Sequence, residues 1–293
     1  MTTAVDFTGR QIELKRSPKR IVCLSAAGLD ILIELGLEPI GYLSKGIAEN
    51  KDFYGDRAKQ FAGVGSWMFP DCRAIKNLQP DLIIGWTFPH RFYGGKLNRL
   101  AATYLMGGNG YQGSLRRLRD IARLTGRLSK AERKVACLQE RLTRYYSSIP
   151  QHKYKTVLFM GGSNLNYISR QFIVETNAGT MGSIVEQFTN YPWPEPPRNR
   201  EPGLTSISLE KILAVNPDII FVQTYPPAKT PLSEQLKGDC LWQQLTAVQS
   251  QNVYEIEQLW HYGNGTHMIN LTLDKLMPFI YPELFGKLKL KAV

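Results

Sequence analysis

The chain has 293 residues and four cysteines, and its 36 Lys and Arg against 25 Asp and Glu leave a formal net charge of +11. That length holds two domains with real cores, and no apolar stretch approaches the roughly 20 residues that cross a bilayer. Cys23, Cys72, Cys137 and Cys240 lie far apart without a CxxC pair, which excludes a zinc pattern or a small disulfide framework and predicts thiols mostly free and buried.

Val5 to Leu14 alternates around Thr8-Gly9 and predicts a hairpin. Arg20 to Leu24 reads as a buried strand, Leu29 to Leu35 as a helix with Gly36 as its C-cap, and Pro39 to Leu43 as the next strand. This β-α-β start predicts a parallel sheet. Met1-Thr2-Thr3 runs straight into Asp6 and Arg10 without the apolar run of a signal peptide, so the chain reads as cytosolic or as a mature form.

Two stretches organise the rest. Ala74 to Trp86 (AIKNLQPDLIIGW) is echoed by Lys211 to Gln223 (KILAVNPDIIFVQ). Each is an apolar-faced helix, a Pro-Asp stop and an unbroken apolar run. Proline cannot continue a helix, and the run after it predicts a strand buried on both faces. Two such units predict two similar α/β lobes. Trp67 lies on the loop before the first unit and Trp86 at the carboxyl end of its strand, where open α/β sheets present ligand loops; core and ligand-contact readings both stand for these indoles. Phe88-Pro89-His90-Arg91-Phe92-Tyr93 adds a cation to an aromatic cluster. Gly108-Asn109-Gly110-Tyr111-Gln112-Gly113 matches a dinucleotide fingerprint, but helix rather than a second strand follows it, which argues against that use.

Ser129 to Ser147 predicts the longest helix, with Ser129 and Glu132 as a capping box and Val135, Leu138, Leu142 and Tyr145 on one stripe. Beyond it come a strand at Thr156 to Met160, a strand pair at Asn166 to Ser169 and Phe172 to Val174, and a helix at Ser183 to Phe188. Tyr191 to Gly203 is proline-rich and predicted irregular; it carries Trp193, Arg198 and Arg200 and reads as a binding loop or a plain crossover. Asn252 to Ile256 is a strand, Trp260-His261-Tyr262-Gly263 its loop, and a helix from about Thr266 to Met277 follows.

The chain holds no GxSxG, Walker loop or HExxH, and His261 and His267 are poorly spaced for a helical metal pair. The expectation is therefore no enzyme, no cofactor and no protein-held metal. The basic balance suits an anionic partner, but no basic run with interleaved aromatics marks a nucleic-acid face. Aromatics and arginines on sheet-edge loops in both halves predict a binding cleft.

Taken together, Arg20-Ile-Val-Cys-Leu-Ser-Ala-Ala, Gly36 to Gly41, Leu78-Gln-Pro-Asp-Leu-Ile-Ile84, Val215-Asn-Pro-Asp-Ile-Ile-Phe221, Leu241 to Val248 and Trp260-His-Tyr-Gly263 resemble the ABC-importer periplasmic binding proteins for ferric siderophores, haem and cobalamin. The last two stretches are especially similar to ferric-hydroxamate binders. The resemblance implies two Rossmann-like lobes with parallel sheets, joined by one long α-helix, with the ligand cleft between them. The corresponding domains are residues 1–128, the helix 129–150 and residues 151–293. It implies a ferric siderophore as ligand, iron held by the chelator, an inner-membrane ABC permease as partner, a monomer and a periplasmic or otherwise extracytoplasmic place, with cobalamin or haem as the alternative ligand. The Gly108 to Gly113 loop gives the alternative class, a nucleotide-dependent α/β enzyme. Trp67 and Trp86 look like aromatic positions of the cobalamin binders, and Trp193, Trp260 and Tyr262 like siderophore contacts. Arg91, Arg198 and His261 are expected to meet the ligand's oxygens. Glu210 matches the family's second docking glutamate; the first falls on Arg73, a departure that shifts the contact to a neighbour such as Asp71.

Overall fold

The computed structural model describes residues 2–43, 60–197, 202–225, 228–256 and 265–286. They fall into two compact units. The first comprises Met1–Gly108, Gln112–Gln139 and Tyr262–Leu271; the second comprises Asn109–Tyr111, Glu140–His261 and Thr272–Val293. The continuous helix Leu128–Ser148 is divided between them. Residues 265–271 belong to the first unit, although they follow the second in sequence.

The first unit opens with the expected hairpin, β1 (Thr2–Val5) against β2 (Gln11–Leu14). Its turn closes on Asp6, whose carboxylate accepts the amides of Thr8 and Arg10 and the Arg10 guanidinium, while Gly9 takes φ 84°. A parallel sheet follows in the order β5-β4-β3-β6-β7. Its strands are β3 (Ile21–Cys23), β4 (Gly41–Tyr42), β5 (Ala62–Gly63), β6 (Leu82–Trp86) and β7 (Ala102–Met106). Ser25 caps helix Ala26–Glu34 by accepting the Gly28 amide. Gly36, at φ 70°, ends that helix as expected. Val22, Leu24, Val64, Ile75, Ile83 and Leu97 form the core under the sheet. Helix Thr266–Ile280 starts against this unit, where buried Asp30 accepts the Met268 amide at 3.1 Å and Glu34 bonds the Thr266 hydroxyl. Burial raises the pKa of both carboxyls.

The second unit repeats the strand order as β10-β9-β8-β11-β12. The strands are β8 (Val157–Gly162), β9 (Gln171–Glu175), β10 (Leu204–Ser208), β11 (Ile219–Thr224) and β12 (Val253–Ile256). The expected parallel pairing holds for β8, β11 and β12, and the sheet becomes mixed at β9, which runs antiparallel to both neighbours. The reason is local. Asn166 to Ser169, expected as a strand, lies in a short helix, Asn164–Ser169, with a capping box between Ser163 and Asn166, and left-handed Arg170 (φ 55°) turns the chain straight back along β8. Residues 191–197 are irregular as predicted, but Leu204–Ser208 is an edge strand the proline-rich reading missed.

The two organising units match residue for residue. Helix Cys72–Asn77 and helix Leu209–Val215 each run into a left-handed residue, Gln79 (φ 45°) or Asn216 (φ 52°), before Pro-Asp and a buried strand. Asp81 accepts the amides of Lys19 and Arg20 at 2.8 and 2.9 Å, and Asp218 accepts that of Thr156 at 2.8 Å. Each aspartate thus fastens its strand to the entrance of its neighbour.

The long helix begins at Leu128, so Ser129 lies inside its first turn and Glu132 pairs with Arg119 at 2.9 Å instead of closing a capping box. Val135, Leu138, Leu142 and Tyr145 are all buried, as the stripe predicts. All four cysteines are free, but only Cys23 is buried; Cys137 and Cys240 are exposed.

Candidate functional site

At the carboxyl edge of the first unit's sheet, two loops carry tryptophan. After β5 the chain makes a tight turn: the Ser66 amide donates to the Phe69 carbonyl at 3.1 Å and the Phe69 amide to Ser66 Oγ at 3.2 Å. Gly65 permits it, since its φ is 92° and a Cβ there would lie 2.5 Å from the Phe69 carbonyl oxygen. Trp67 and Met68 form the tip of this turn, and Phe69 is 70% exposed. The second loop starts at Trp86, the last residue of β6. Phe88 and Phe92 are both exposed and stand edge to face at 6.1 Å, Trp67 meets Phe88 at 5.9 Å, and the Arg91 guanidinium lies 4.9 Å from the Phe92 ring centre.

Two buried polar side chains underlie it. His90 has no exposed surface. Its Nδ1 accepts the Trp86 backbone amide at 2.8 Å, and its Nε2 lies 2.9 Å from the Trp67 carbonyl oxygen. A carbonyl only accepts, so the partners assign the neutral Nε2–H tautomer. Burial lowers the pKa to about 4. From the helix Gly110–Leu124, Arg117 puts its guanidinium 5.0 Å from the Trp86 ring centre, a cation–π distance, and donates to the Gly108 carbonyl at 2.6 Å and to Ser114 Oγ at 2.8 Å. Burial brings its pKa down to about 10, still far above neutrality, so a positive charge lies beneath the indole.

The second unit's carboxyl edge is built differently. Helix Asn164–Ser169 exposes Leu165 and Ile168 at 76% and 75%. Beside it a cavity of about 210 Å³ is lined by Tyr167, Ile168, Arg170, Phe172, Leu209, Leu236 and Asp239. Arg170 pairs with Asp239 and stands 3.9 Å from exposed Glu210. Glu210's own amide and the Ser208 hydroxyl hold its carboxyl below the usual range.

The structure brings Trp67, Trp86 and Arg91 to one edge of the first unit, together with Phe69, Phe88, His90, Phe92 and Arg117, which sequence reasoning did not single out as site residues. Only the aromatic–His–Arg run 88–93 signalled any of them. Asp71 is exposed but already used, accepting the amides of Arg73 and Ala74 as the cap of helix Cys72–Asn77. Trp193 runs against its assignment as a ligand contact: it is 2% exposed and donates its indole N–H to the Val157 carbonyl at 2.7 Å. Arg198, Trp260, His261 and Tyr262 lie outside the described residues. In the glycine loop, the Tyr111 amide donates to Ser183 Oγ at 2.9 Å and Asn109 bonds the Pro202 carbonyl. An amide that a phosphate would need is therefore taken. A cavity of about 720 Å³ is lined by Thr3 to Val5, Gln11, Gln112, Arg116, Arg119, Asp120 and Arg123 and shares no residue with the tryptophan face. It is an open groove whose arginines are held by Asp120 and Glu132.

Residues 21–259 match the model of a family described as periplasmic binding protein. Among curated proteins, the chain is 25% identical over 286 residues to a putative ABC transporter substrate-binding lipoprotein, YhfQ, of Bacillus subtilis, covering 88% of this chain and 82% of that one. It is 27% identical over 253 residues to the Fe(3+) dicitrate-binding periplasmic protein FecB of Escherichia coli, covering 83% and 78%. Among solved structures, Staphylococcus aureus SirA complexed with staphyloferrin B superposes with a TM-score of 0.75 at 20% identity, covering 95% of this chain and 98% of that one, which shows a shared fold.

Proposed function

The chain belongs to the periplasmic binding protein family, and we propose that it serves an ABC importer by binding a ferric siderophore and delivering it to an inner-membrane permease. The observation that carries this reading is the aromatic cluster of half-buried Trp67 with exposed Phe88 and Phe92, with Arg91 at its rim and Arg117 beneath Trp86. Indole and phenyl rings pack the chelator's apolar and π surfaces, and arginine meets carboxylate or iron-ligating oxygens. Among the described residues no group of three His, Cys, Asp or Glu side chains gathers to hold a metal, so the cargo is read as a chelate rather than a bare ion. The printed names of relatives, which concern dicitrate iron and siderophores, support the same ligand class. Arg198, Trp260, His261 and Tyr262 complete the proposed contacts. No reaction is catalysed on this reading, and the protein works as a monomer outside the cytoplasm.

Delivery requires a docking surface. Glu210 fits it, being exposed in the first turn of helix Leu209–Val215. The matched position of the first unit is Arg73, also in a first turn and exposed, so a permease would meet opposite charges at the two positions, with Asp71 as the nearest acid to the first.

Quenching of tryptophan fluorescence tests the ligand. Ferric citrate, a ferric hydroxamate, a ferric catecholate, their iron-free forms, cobalamin and haem are titrated in turn. Saturable one-to-one quenching by an iron-loaded chelate, lost in Trp67→Ala, is the expected result. A response to cobalamin or haem alone would keep the transport role and overturn the ligand; silence across the panel from folded protein would overturn the reading.

A further inference from the structure

Two loops that are separate in sequence must hold Trp67 and Trp86 at a constant spacing if both are to touch one rigid ligand. Trp86 ends β6 in register with Met106, and the Tyr93 hydroxyl donates to the Met68 carbonyl at 3.1 Å. His90 is the side chain that bonds the backbone of both tryptophans. We propose that His90 is the positioning residue of this face, its neutral imidazole bolting the Trp67 loop to the Trp86 loop so that the two indoles form one preorganised surface for a ferric chelate. The ligand class rests on the function proposed above; the bolt itself rests on geometry alone.

The geometry is specific. One ring nitrogen accepts from the Trp86 amide at 2.8 Å and the other donates to the Trp67 carbonyl at 2.9 Å. Both bonds go to the backbones of the tryptophans, so they set where the indoles start and leave the rings free. The imidazole is fully buried, so neither bond competes with water, and it also meets the Trp67 ring at 6.5 Å, edge to face. Gly85 makes room for it, since a Cβ there would lie 3.1 Å from Nδ1. Losing the ring would leave the Trp86 amide and the Trp67 carbonyl without these partners and let the loops move apart, so that binding must first reorder them.

Three variants separate positioning from bulk stability. His90→Leu removes both bonds. His90→Gln keeps an acceptor and a donor on one side chain. Leu97→Ala destabilises the first unit's core cluster and removes neither hydrogen bond of His90. Affinity is read by fluorescence titration with whichever of ferric citrate, the ferric hydroxamate or the ferric catecholate binds the unaltered protein most tightly; exchange of the Trp86 amide is read by hydrogen–deuterium exchange without ligand. His90→Leu is expected to weaken chelate binding at least about tenfold and to speed Trp86 exchange, His90→Gln to stay within about threefold on both, and Leu97→Ala to keep its affinity. If His90→Leu does not fold, Gly85→Ala, which crowds the ring, stands in for it with the same expected loss. Unchanged affinity in His90→Leu, or loss in His90→Gln and Leu97→Ala alike, overturns the proposal. If no chelate binds the unaltered protein, the ligand reading fails by itself, and the exchange experiment still decides the bolt: unchanged Trp86 exchange in His90→Leu rejects it.

Discussion

Asp71 to Trp86 and Ser208 to Gln223 share one backbone and differ in what they show to the outside. Both open with a capping residue, turn left-handed before proline, and spend the aspartate after it on backbone amides of the neighbouring strand's entrance. Yet Arg73 stands where Glu210 stands, and Trp86 where Gln223 stands. The repeated positions are those where an amide must be satisfied or a helix must stop. Of the divergent ones, Arg73 and Glu210 are exposed, Trp86 is half-buried and Gln223 is buried. Gln223 is fully buried with no hydrogen-bond partner for its side-chain amide among the described residues, whereas the Trp86 ring covers the Arg117 guanidinium. The matched scaffold therefore carries a half-buried indole over a cation in one unit and a buried amide in the other.

The sharpest way to break this comparison uses two indoles. Trp193→Ala in the second unit's core should cost about 3–5 kcal/mol in a denaturant melt and leave chelate affinity within a few fold once the protein is folded. Trp67→Ala on the first unit's loop should do the reverse, costing under about 1 kcal/mol and abolishing quenching. Similar stability losses for both would mean that the first unit's face is ordinary core.

Next come the Pro-Asp carboxylates. Asp81→Ala frees two amides and Asp218→Ala one, so losses of about 2 and about 1 kcal/mol are expected from chemical unfolding. A larger cost for Asp218 would show that the two stops are not equivalent devices.

The first unit also carries a buried acid pair at the start of helix Thr266–Ile280. Burial raises the pKa of Asp30 and Glu34 above their ordinary values. Raised carboxyls bind more protons in the folded state, so this stabilisation is complete below the ordinary carboxylate range and is lost as pH rises through the folded values. Asp30→Asn, which keeps an acceptor for the Met268 amide, should flatten that part of the stability–pH curve measured from pH 4 to 8. An unchanged slope would place the pH dependence elsewhere.

The smallest effect concerns the left-handed residues. Gln79→Gly should stabilise by about 0.5–1 kcal/mol and Asn216→Gly by less, because asparagine tolerates this conformation better than glutamine. Thermal melts of the two variants rank them directly.

Local rules made much of this molecule legible in its sequence. Alternation around Thr8-Gly9, Gly36 after an apolar helix, proline before each buried run and the stripe from Val135 to Tyr145 are all written in neighbouring residues, and each appears in the structure. So does the placing of Trp67, Trp86 and Arg91 on loops at one sheet edge, which follows from strand order. The antiparallel course of β9 follows from a local turn at Arg170 that the residue pattern did not reveal. The other features that needed tertiary structure have partners far along the chain, and β10 exists because β9 offers an edge to pair with. Trp193 is core because the Val157 carbonyl waits for its indole. His90 reads as one more loop residue until the fold sets the Trp67 carbonyl against it. Proline stops, caps and apolar periodicity act over a few residues and so are fixed by sequence order; burial and hydrogen-bond partnership depend on which distant groups the folded chain brings within about 3 Å.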